Sequence, residues 1–263
     1  MAAIKFKKKN IFYSEAGKGK PIVFLHGFTE TSKIWKSFSA DLAEEYRVIC
    51  IDLPGHGKSE TVASIHTMEL LAEVVYTVLK KLKIGKCLMV GHSMGGYTTL
   101  AFAAKYPEKL KGFCLFHSHC FPDTPDQMEN RNRTIHVVDQ DKFSFIAQFI
   151  PALFPPEVHK KFAKEIEKLI QQAAKMPKEA VIAALEGMKS RKDQSEVLKT
   201  TDLPILFILG LKDAKAPVDK LWEMVSLPHQ SEILLLHDCG HMGYIEYPEE
   251  TMAAIQGFAK KIF

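Results

Sequence analysis

The amino-acid sequence predicts an α/β fold in which a mostly parallel sheet is flanked by helices on both faces. Two observations predict this fold class. Continuous apolar runs of strand length alternate with segments whose apolar side chains recur at helical spacing, a pattern typical of parallel strands that are buried on both faces. The chain has 263 residues, of which 46% are hydrophobic and 25% charged, so it is long enough for one large globular domain with a sizeable core.

The N-terminal elements follow this alternation. The run "IKFKKKNIFYSEAG" alternates in polarity and ends in a glycine-rich turn, which predicts an opening hairpin. "PIVFLHG" and "YRVICIDLPGHG" are short apolar runs that end in loops, and they predict two buried strands. Residues 31–45 between them are predicted to be helical. Residues 67–83 keep their apolar side chains at helical spacing, with Thr67 as the N-cap.

The second half of the pattern continues the sheet. "KCLMVGHS" predicts a strand, and a helix follows from Met94 to about Lys105, where Pro107 ends it. "LKGFCLFHS", "PILFILGLKD" and "SEILLLHDCGH" predict further buried strands. The segment "APVDKLWEMVS" predicts a short helix between the last two strands, and residues 249–262 predict the closing helix.

Residues 121–200 interrupt the alternation. They hold three proline-bearing turns and no convincing strand, whereas "KEAVIAALEGMKS" predicts a helix. "EVHKKFAKEIEKLIQQAAK" places apolar side chains on one helical face: Val158, Phe162, Ile166, Leu169, Ile170 and Ala173. We interpret residues 121–200 as a helical lid inserted into a core that residues 1–120 and 201–263 form.

Composition argues against several classes of protein. The net charge of +4 is mild, and its lysine runs are typical of solvated faces, so no nucleic-acid partner is expected. Five cysteines without a C-x-x-C pair argue against a disulfide framework and against a structural zinc site, and they favour a reducing compartment. The sequence has no apolar signal segment and no run near the ~20 residues of a membrane span, so we expect a cytoplasmic protein. No pattern indicates an oligomeric state.

A serine lies where a predicted strand meets a predicted helix. Gly91-His92-Ser93-Met94-Gly95 matches G-x-S-x-G in the strand-to-helix context that this motif requires. Small residues allow the tight turn that exposes the hydroxyl, and the helix N-terminus favours negative charge there. The alternative is a serine that only caps the helix. We predict that Ser93 is a nucleophile.

A serine nucleophile needs a base and an acid that orients the base. In this architecture they follow the serine in the order Asp or Glu, then His, after later strands. "FILGLKDAKAP" supplies Asp213 and "LLLHDCGHMGY" supplies His241. Either residue alone could be an ordinary loop residue, but both occur in the expected order and place. We predict that Asp213 orients His241 and that His241 is the base.

Two further sets of residues complete the predicted site. Backbone amides of Phe28, in the loop after an early strand, and of Met94 are the predicted oxyanion donors. A lid above the carboxyl ends of the strands predicts a largely apolar pocket with Ser93 at its floor. The candidate substrate-binding residues, for which packing roles remain open, are His26, Trp35, His117, Phe143, Phe149 and Arg131. Neither a phosphate-binding loop nor a cluster with metal-ligand spacing is found, so we expect no cofactor and no metal.

Five segments together resemble the α/β-hydrolase superfamily, in its esterase and meta-cleavage-hydrolase branch: "FLHGFTETSKIW", "IDLPGHGKS", "VGHSMGG", "LGLKDAKAP" and "DCGHMGYIEYPEE". The resemblance covers the chain outside the lid. It implies a mostly parallel eight-stranded sheet with the lid after the sixth strand, and a triad of Ser93, His241 and Asp213. Epoxide hydrolases and dehalogenases of this superfamily have Asp in place of Ser93, which argues against those activities.

These observations lead to three hypotheses. The first is a serine hydrolase that cleaves a small carboxylic ester or a similar acyl compound through an acyl-enzyme, with a small-molecule substrate as its partner. The second is a lyase or carbon–carbon bond hydrolase of the menaquinone-pathway type, which shares "HGF" and "DLPGHG" and often carries lid arginines. Arg131, Arg133 and Arg191 lie in the lid segment. The third is a ligand receptor on the same fold, with slow or absent turnover of its ligand.

Overall fold

The computed structural model describes residues 1–216 and 218–263. Eight strands form one sheet in the order β1-β2-β4-β3-β5-β6-β7-β8. The strands are β1 (Ala2–Phe6), β2 (Lys9–Ala16), β3 (Lys20–Leu25), β4 (Tyr46–Ile51), β5 (Cys87–His92), β6 (Leu110–Phe116), β7 (Ile205–Gly210) and β8 (Ser231–Leu236). The pairs β1–β2 and β2–β4 are antiparallel, and the five remaining pairs are parallel. The predicted fold class and the eight strands are confirmed.

Helices cover the sheet and fill the long connection after β6. They are α1 (Lys36–Leu42), α2 (Met68–Lys81), α3 (Met94–Lys105), α4 (Pro125–Phe149), α5 (Ala163–Ala173), α6 (Lys178–Lys189), α7 (Ser195–Thr200), α8 (Val218–Val225), α9 (Gly243–Glu246) and α10 (Pro248–Ile262). Pro217, which belongs to the segment predicted as a short helix before β8, lies outside the described residues. Among the described residues, every helix is too short or too polar to cross a membrane.

A separate apolar cluster covers each face of the sheet, and alternate side chains of a central strand belong to different clusters. In β5 all six residues are buried, and successive side chains of a strand point to opposite faces. Met89 joins the apolar cluster that contains α2 and α3. Leu88 and Val90 join the cluster that contains α1 and α10. A continuous apolar run is therefore required, because neither face of the strand meets water.

Local signals set the helix ends as predicted. The Thr67 hydroxyl accepts a hydrogen bond from the Leu70 amide at 3.2 Å and caps α2. Helix α3 runs from Met94 to Lys105, and Pro107 then begins a short 3₁₀ turn.

The connection after β6 consists of helices and turns, as predicted, but its longest helix was missed. Helix α4 begins with a capping box between Thr124 and Gln127. It bends at Asp141, whose backbone is not helical and whose carboxylate accepts from the amides of Phe143 and Ser144. Only Val138 and Ile146 of α4 are buried, so the helix is too polar for an apolar pattern of helical spacing to reveal it in the sequence.

The predicted amphipathic helix in the same connection is shorter than expected. It begins only at Ala163, because prolines keep the preceding residues in a 3₁₀ turn. Its predicted apolar face is buried at Ile166, Leu169 and Ala173.

Candidate active site

The carboxyl ends of the six parallel strands, β3 to β8, meet at one edge of the sheet. The register pairs Leu25 with Gly91, His92 with Phe116, and Phe116 with Ile208, while Gly210 pairs with Leu236 in the last two strands. The loops that follow these strands therefore lie side by side. They carry the residues on which the sequence predictions depend.

Ser93 occupies a strained turn between β5 and α3. Its backbone has φ 51° and ψ −114°, in a region that non-glycine residues rarely adopt and that costs on the order of 1–3 kcal/mol. A Cβ at Gly91 would lie 2.3 Å from the Gly95 carbonyl oxygen, so only glycine fits there. The Ser93 side chain makes no capping hydrogen bond to α3. The alternative in which this serine only caps a helix is therefore wrong.

Ser93, His241 and Asp213 form one hydrogen-bonded chain. His241 Nε2 lies 2.9 Å from Ser93 Oγ, and His241 Nδ1 lies 2.8 Å from Asp213 Oδ2. The other carboxylate oxygen of Asp213 accepts from the Lys215 amide at 2.8 Å. Burial disfavours the Asp213 carboxylate, but the neighbouring His241 and His117 outweigh it and hold the pKa of this carboxyl well below its usual range. Asp213 is thus a carboxylate that can hold His241 in one orientation.

His117 lies behind Asp213 and not in the pocket. Its Nδ1 is 3.3 Å from Asp213 Oδ2, without hydrogen-bond alignment. Burial lowers the pKa of His117 to about 4, although Asp213 opposes this change. The predicted substrate-binding role of His117 is therefore wrong, because the strained backbone after β6 (φ 47°) turns the ring beneath the Asp213–His241 pair.

Among the residues that the structure describes, His117, Asp213 and His241 are the one cluster whose potential ligand atoms are close enough to surround a metal ion. The nearest nitrogen and oxygen atoms of His117, Asp213 and His241 all lie within 4.8 Å of one another. Asp213 Oδ2 and His241 Nδ1 already share a hydrogen bond with each other. A metal would have to displace that bond, so we interpret the cluster as a carboxylate–histidine pair with a supporting histidine.

The predicted oxyanion donors lie on two adjoining segments. A Cβ on Gly95 would come within 2.5 Å of the Leu25 carbonyl oxygen, so the first turn of α3 packs closely against the end of β3. Within residues 1–216 and 218–263, the amides of Phe28 and Met94 donate no hydrogen bond. Both are available to an oxyanion, and their role stays a prediction.

A cavity of about 350 Å³ contains Ser93 and His241 in its wall. Its apolar wall is formed by Phe28, Phe145, Phe149, Leu185 and Met188. Its lining also contains many polar residues, among them Asp123, Gln127, Asn130, Arg131, Thr134 and Arg191. The expectation of a largely apolar pocket is therefore wrong. The reason is helix α4, whose polar residues recur every three or four positions along the face that borders the cavity.

Of the other candidate substrate-binding residues, Phe149 and Arg131 line the cavity and three do not. His26 Nε2 accepts from the Leu53 amide at 2.9 Å, so this side chain joins two loops beneath the site. Trp35 is fully buried against Phe24, Phe116 and other rings on the far face of the sheet. Phe143 is 64% exposed, beyond the bend in α4.

Sequence reasoning missed Tyr97 and Asp123, which line the cavity together with His119. Tyr97 stands four residues after Ser93, one helical turn along α3, and this spacing could have revealed it. Its hydroxyl lies 3.2 Å from His119 Nε2. The position of Asp123 has no such local signal.

Asp123 binds two of the three lid-segment arginines inside the cavity. Arg131 forms a two-pronged contact with its carboxylate through Nε and Nη2, and Arg191 Nη1 lies 2.6 Å from Asp123 Oδ1. Arg191 also lies over the Tyr97 ring, with 4.4 Å between the guanidinium and the ring centroid. Arg133 instead faces solvent and pairs with Glu129 at 3.6 Å. Two guanidinium groups share one carboxylate, so this cluster carries a surplus positive charge.

Buried neutral histidines make the stability of the protein sensitive to acid. Burial lowers the pKa of His66 and His117 to about 4 and that of His119 to about 3. An unfolded chain binds a proton at each histidine below about pH 6.5. Between pH 6.5 and 4 the unfolded state therefore holds more protons, and the free energy of unfolding falls as the pH falls. We expect a loss of about 1.4 kcal/mol per pH unit for each of these histidines below about pH 6.

Urea denaturation at several pH values between 7 and 5 measures this effect. His66→Gln is neutral at every pH, so it should reduce the pH slope by about one proton. His229 is exposed, and His229→Gln is the control that should keep the wild-type slope. A free energy of unfolding that stays constant over this range would contradict the prediction.

The architecture of the chain agrees with the comparison to known proteins. A model of the α/β-hydrolase fold family matches residues 20–248. A thermophilic esterase from Thermogutta terrifontis, solved with malate bound, is 32% identical, with a TM-score of 0.94, and the match covers 100% of this chain and 99% of that chain. The chain belongs to the α/β-hydrolase fold family, which confirms the resemblance seen in the sequence.

Two curated relatives are more distant. The dihydrolipoyllysine-residue acetyltransferase component of the acetoin cleaving system from Pseudomonas putida is 27% identical over 92% of this chain, and the chain spans 64% of that protein's length. The 2-hydroxy-6-oxononadienedioate/2-hydroxy-6-oxononatrienedioate hydrolase from Burkholderia vietnamiensis is 25% identical over 95% of this chain and 91% of its own length.

Proposed function

We propose that this protein is a serine hydrolase that cleaves a small carboxylic ester or a similar acyl compound. One observation carries the proposal: Ser93 Oγ lies 2.9 Å from a histidine nitrogen, and the other ring nitrogen lies 2.8 Å from a buried carboxylate. This chain of bonds is what a serine hydroxyl requires to become nucleophilic. Loss of turnover and of serine-directed labelling in Ser93→Ala is the test.

The proposed reaction proceeds in two halves. Ser93 Oγ attacks the carbonyl carbon while His241 Nε2 takes the hydroxyl proton, and Asp213 stabilises the charged ring. The amides of Phe28 and Met94 hold the oxyanion. The tetrahedral intermediate collapses, the alcohol leaves with the proton from His241, and an acyl-enzyme remains. His241 then takes a proton from water, which attacks the acyl carbon. The bond to Ser93 Oγ breaks, the acid is released, and His241 returns the proton to Ser93.

Residues 121–200 serve as a lid in this proposal, over a core of residues 1–120 and 201–263. The supporting observation is the cavity itself, since α4 and α6 supply lining residues such as Arg131 and Leu185 to the cavity that Ser93 also lines. Displacing these helices would open the cavity to solvent. Closing them would exclude water from the reacting carbonyl.

A second candidate is a lyase or carbon–carbon bond hydrolase, in which Ser93 or His241 acts mainly as a base. The observation in its favour is that Arg131 and Arg191 face the cavity with surplus positive charge. The Burkholderia relative is named for dioate substrates, and guanidinium groups bind carboxylates well. An anionic substrate is compatible with both candidates. Product analysis separates them, because an ester releases an alcohol and a carbon–carbon substrate releases none.

Arg131→Gln is expected to discriminate between anionic and neutral substrates. The variant removes one of the three cationic side chains that line the cavity, which are Arg131, Arg191 and Lys215, so the KM for a monoester of a dicarboxylic acid should rise by about 10-fold or more. The kcat/KM for neutral p-nitrophenyl esters should stay within about 3-fold of wild type. Steady-state kinetics on both ester classes measure the effect.

Arg133→Gln is the matched control for this experiment. Arg133 lies on the same helix, but its side chain is 73% exposed and pairs with Glu129. This variant should leave both ester classes unchanged. Equal effects of the two substitutions, or an equal effect of Arg131→Gln on both ester classes, would contradict an anion-binding role.

A further inference from the structure

Glu30, in the loop after β3, is a buried carboxylate that the proposed reaction does not use. Its side chain is 2% exposed. Oε2 accepts from the Gly27 amide at 2.5 Å and contacts His92 Nδ1 at 2.9 Å, and Oε1 accepts from the Tyr244 hydroxyl at 2.9 Å. An ionised carboxylate is costly to bury unless such donors surround it. Here both of its oxygens have donors.

His92, the variable residue before Ser93 in G-x-S-x-G, is equally buried and has a partner at each ring nitrogen. Nδ1 contacts Glu30, and Nε2 lies 2.9 Å from the backbone carbonyl oxygen of His241. A carbonyl only accepts, so Nε2 must carry a proton. The contact between Nδ1 and Oε2 needs a second proton. Because Gly27 and Tyr244 already donate to the carboxylate, the negative charge is stabilised on Glu30 and the second proton belongs on Nδ1.

The electrostatics of both groups point the same way. Burial opposes charge on each, but the His92 ring holds the pKa of Glu30 below its usual value. Burial likewise disfavours the charged ring, yet Glu30 and the His241 carbonyl raise the pKa of His92. A buried ion pair is therefore favoured over a neutral pair.

This pair contacts each part of the proposed machinery. Gly27 precedes Phe28, His92 precedes Ser93, and the His92 ring holds the backbone of His241. A Cβ on Gly27 would lie 2.8 Å from both Glu30 Oε2 and His92 Nδ1, so the loop fits against the pair only with glycine at this position.

We propose that Glu30 and His92 form a buried ion pair that positions the oxyanion loop and the base relative to the nucleophile. This inference rests on the proposed serine-hydrolase function. Both are positioning residues: Glu30 acts through the Gly27 amide and His92 acts through the His241 backbone, and neither touches the reacting atoms. Loss of the pair should displace the Phe28 amide, which interacts with substrate only as the oxyanion develops. Loss of the pair should therefore destabilise the transition state more than it weakens the binding of substrate.

Glu30→Gln tests the pair by kinetics. The kcat for p-nitrophenyl esters should fall by about 10- to 100-fold, less than the ~10²–10³ of removing an oxyanion donor outright, while KM stays within about 3-fold. Asp52→Asn is the matched control. Asp52 is also a buried carboxylate at a strand end, where it accepts from the amides of Ser32 and Lys58, and its variant should keep the wild-type kcat.

Nitrogen-15 NMR of the histidine rings gives a second readout that does not depend on turnover. At pH 8 the wild-type spectrum should contain one ring with both nitrogens protonated, assigned by its absence in His92→Gln. That signal should be lost in Glu30→Gln and kept in Asp52→Asn. A singly protonated His92 in the wild type would overturn the ion pair, and a Glu30→Gln kcat within 2-fold of wild type would overturn its positioning role. If no ester is turned over, the proposed function fails, and the spectrum still decides the ion pair.

Discussion

Ser93→Ala is expected to lose essentially all turnover, with kcat falling on the order of 10⁶-fold as when a serine protease loses its nucleophile. Without the hydroxyl no acyl-enzyme forms, and only the oxyanion amides and substrate binding remain to accelerate the reaction. A fluorophosphonate probe, which requires an activated serine, should label the wild type and leave the variant unlabelled. The fold should persist, since alanine removes one hydroxyl of a half-buried residue, and this hydroxyl makes no capping hydrogen bond to α3.

Ser118→Ala is the control for this result. Ser118 lies beside the same turn and donates to the Ser93 carbonyl oxygen at 2.8 Å, but it has no histidine partner. Its variant should still be labelled and should retain turnover. Full activity in Ser93→Ala would remove the proposed mechanism. A wild-type protein that binds probe esters without multiple turnover would favour the ligand receptor.

Asp213→Asn should cost a factor on the order of 10⁴ in kcat if Asp213 acts as the triad acid does in serine proteases. In the wild type, His241 Nδ1 faces a carboxylate oxygen of Asp213 at 2.8 Å. This contact keeps the proton on Nδ1 and leaves Nε2 free to accept from Ser93. An asparagine amide can present an N–H instead, which stabilises the wrong tautomer. It also removes the charge that compensates the imidazolium. Steady-state kcat at a pH above neutrality measures the loss.

Glu246→Gln tests whether another carboxylate could be the acid that orients His241. Glu246 is buried in the same loop region, but its oxygens accept from the amides of Gly240 and Met242, on either side of His241. We expect its variant to lose far less activity than Asp213→Asn. A near wild-type rate for Asp213→Asn, together with a severe loss for Glu246→Gln, would reassign the third member of the triad.

The fold and the proximity of Ser93, Asp213 and His241 were predictable, because local sequence patterns determine the strands, the turn at Ser93 and the loops that follow the strands. A strand buried on both faces must be continuously apolar, as β5 and β7 are. The turn at Ser93 admits only small neighbours, which leaves a readable pattern at Gly91 and Gly95. In a parallel sheet the carboxyl ends of the strands meet at one edge. Residues that follow separate strands, such as Asp213 and His241, therefore had to lie near Ser93.

The sequence by itself thus determined the α/β class, the strand-to-helix turn and the order in which Ser93, Asp213 and His241 follow their strands. Tertiary structure alone decided which side chains form the pocket. An aromatic or histidine residue suits a core and a cavity wall equally well, so Trp35 and His117 could be assigned only by the packing around them. Likewise, Asp123 meets Arg191 across 68 positions of the chain, where no local periodicity links the two. The cavity takes its polarity from how α4 packs over the sheet, and that packing depends on contacts between distant segments.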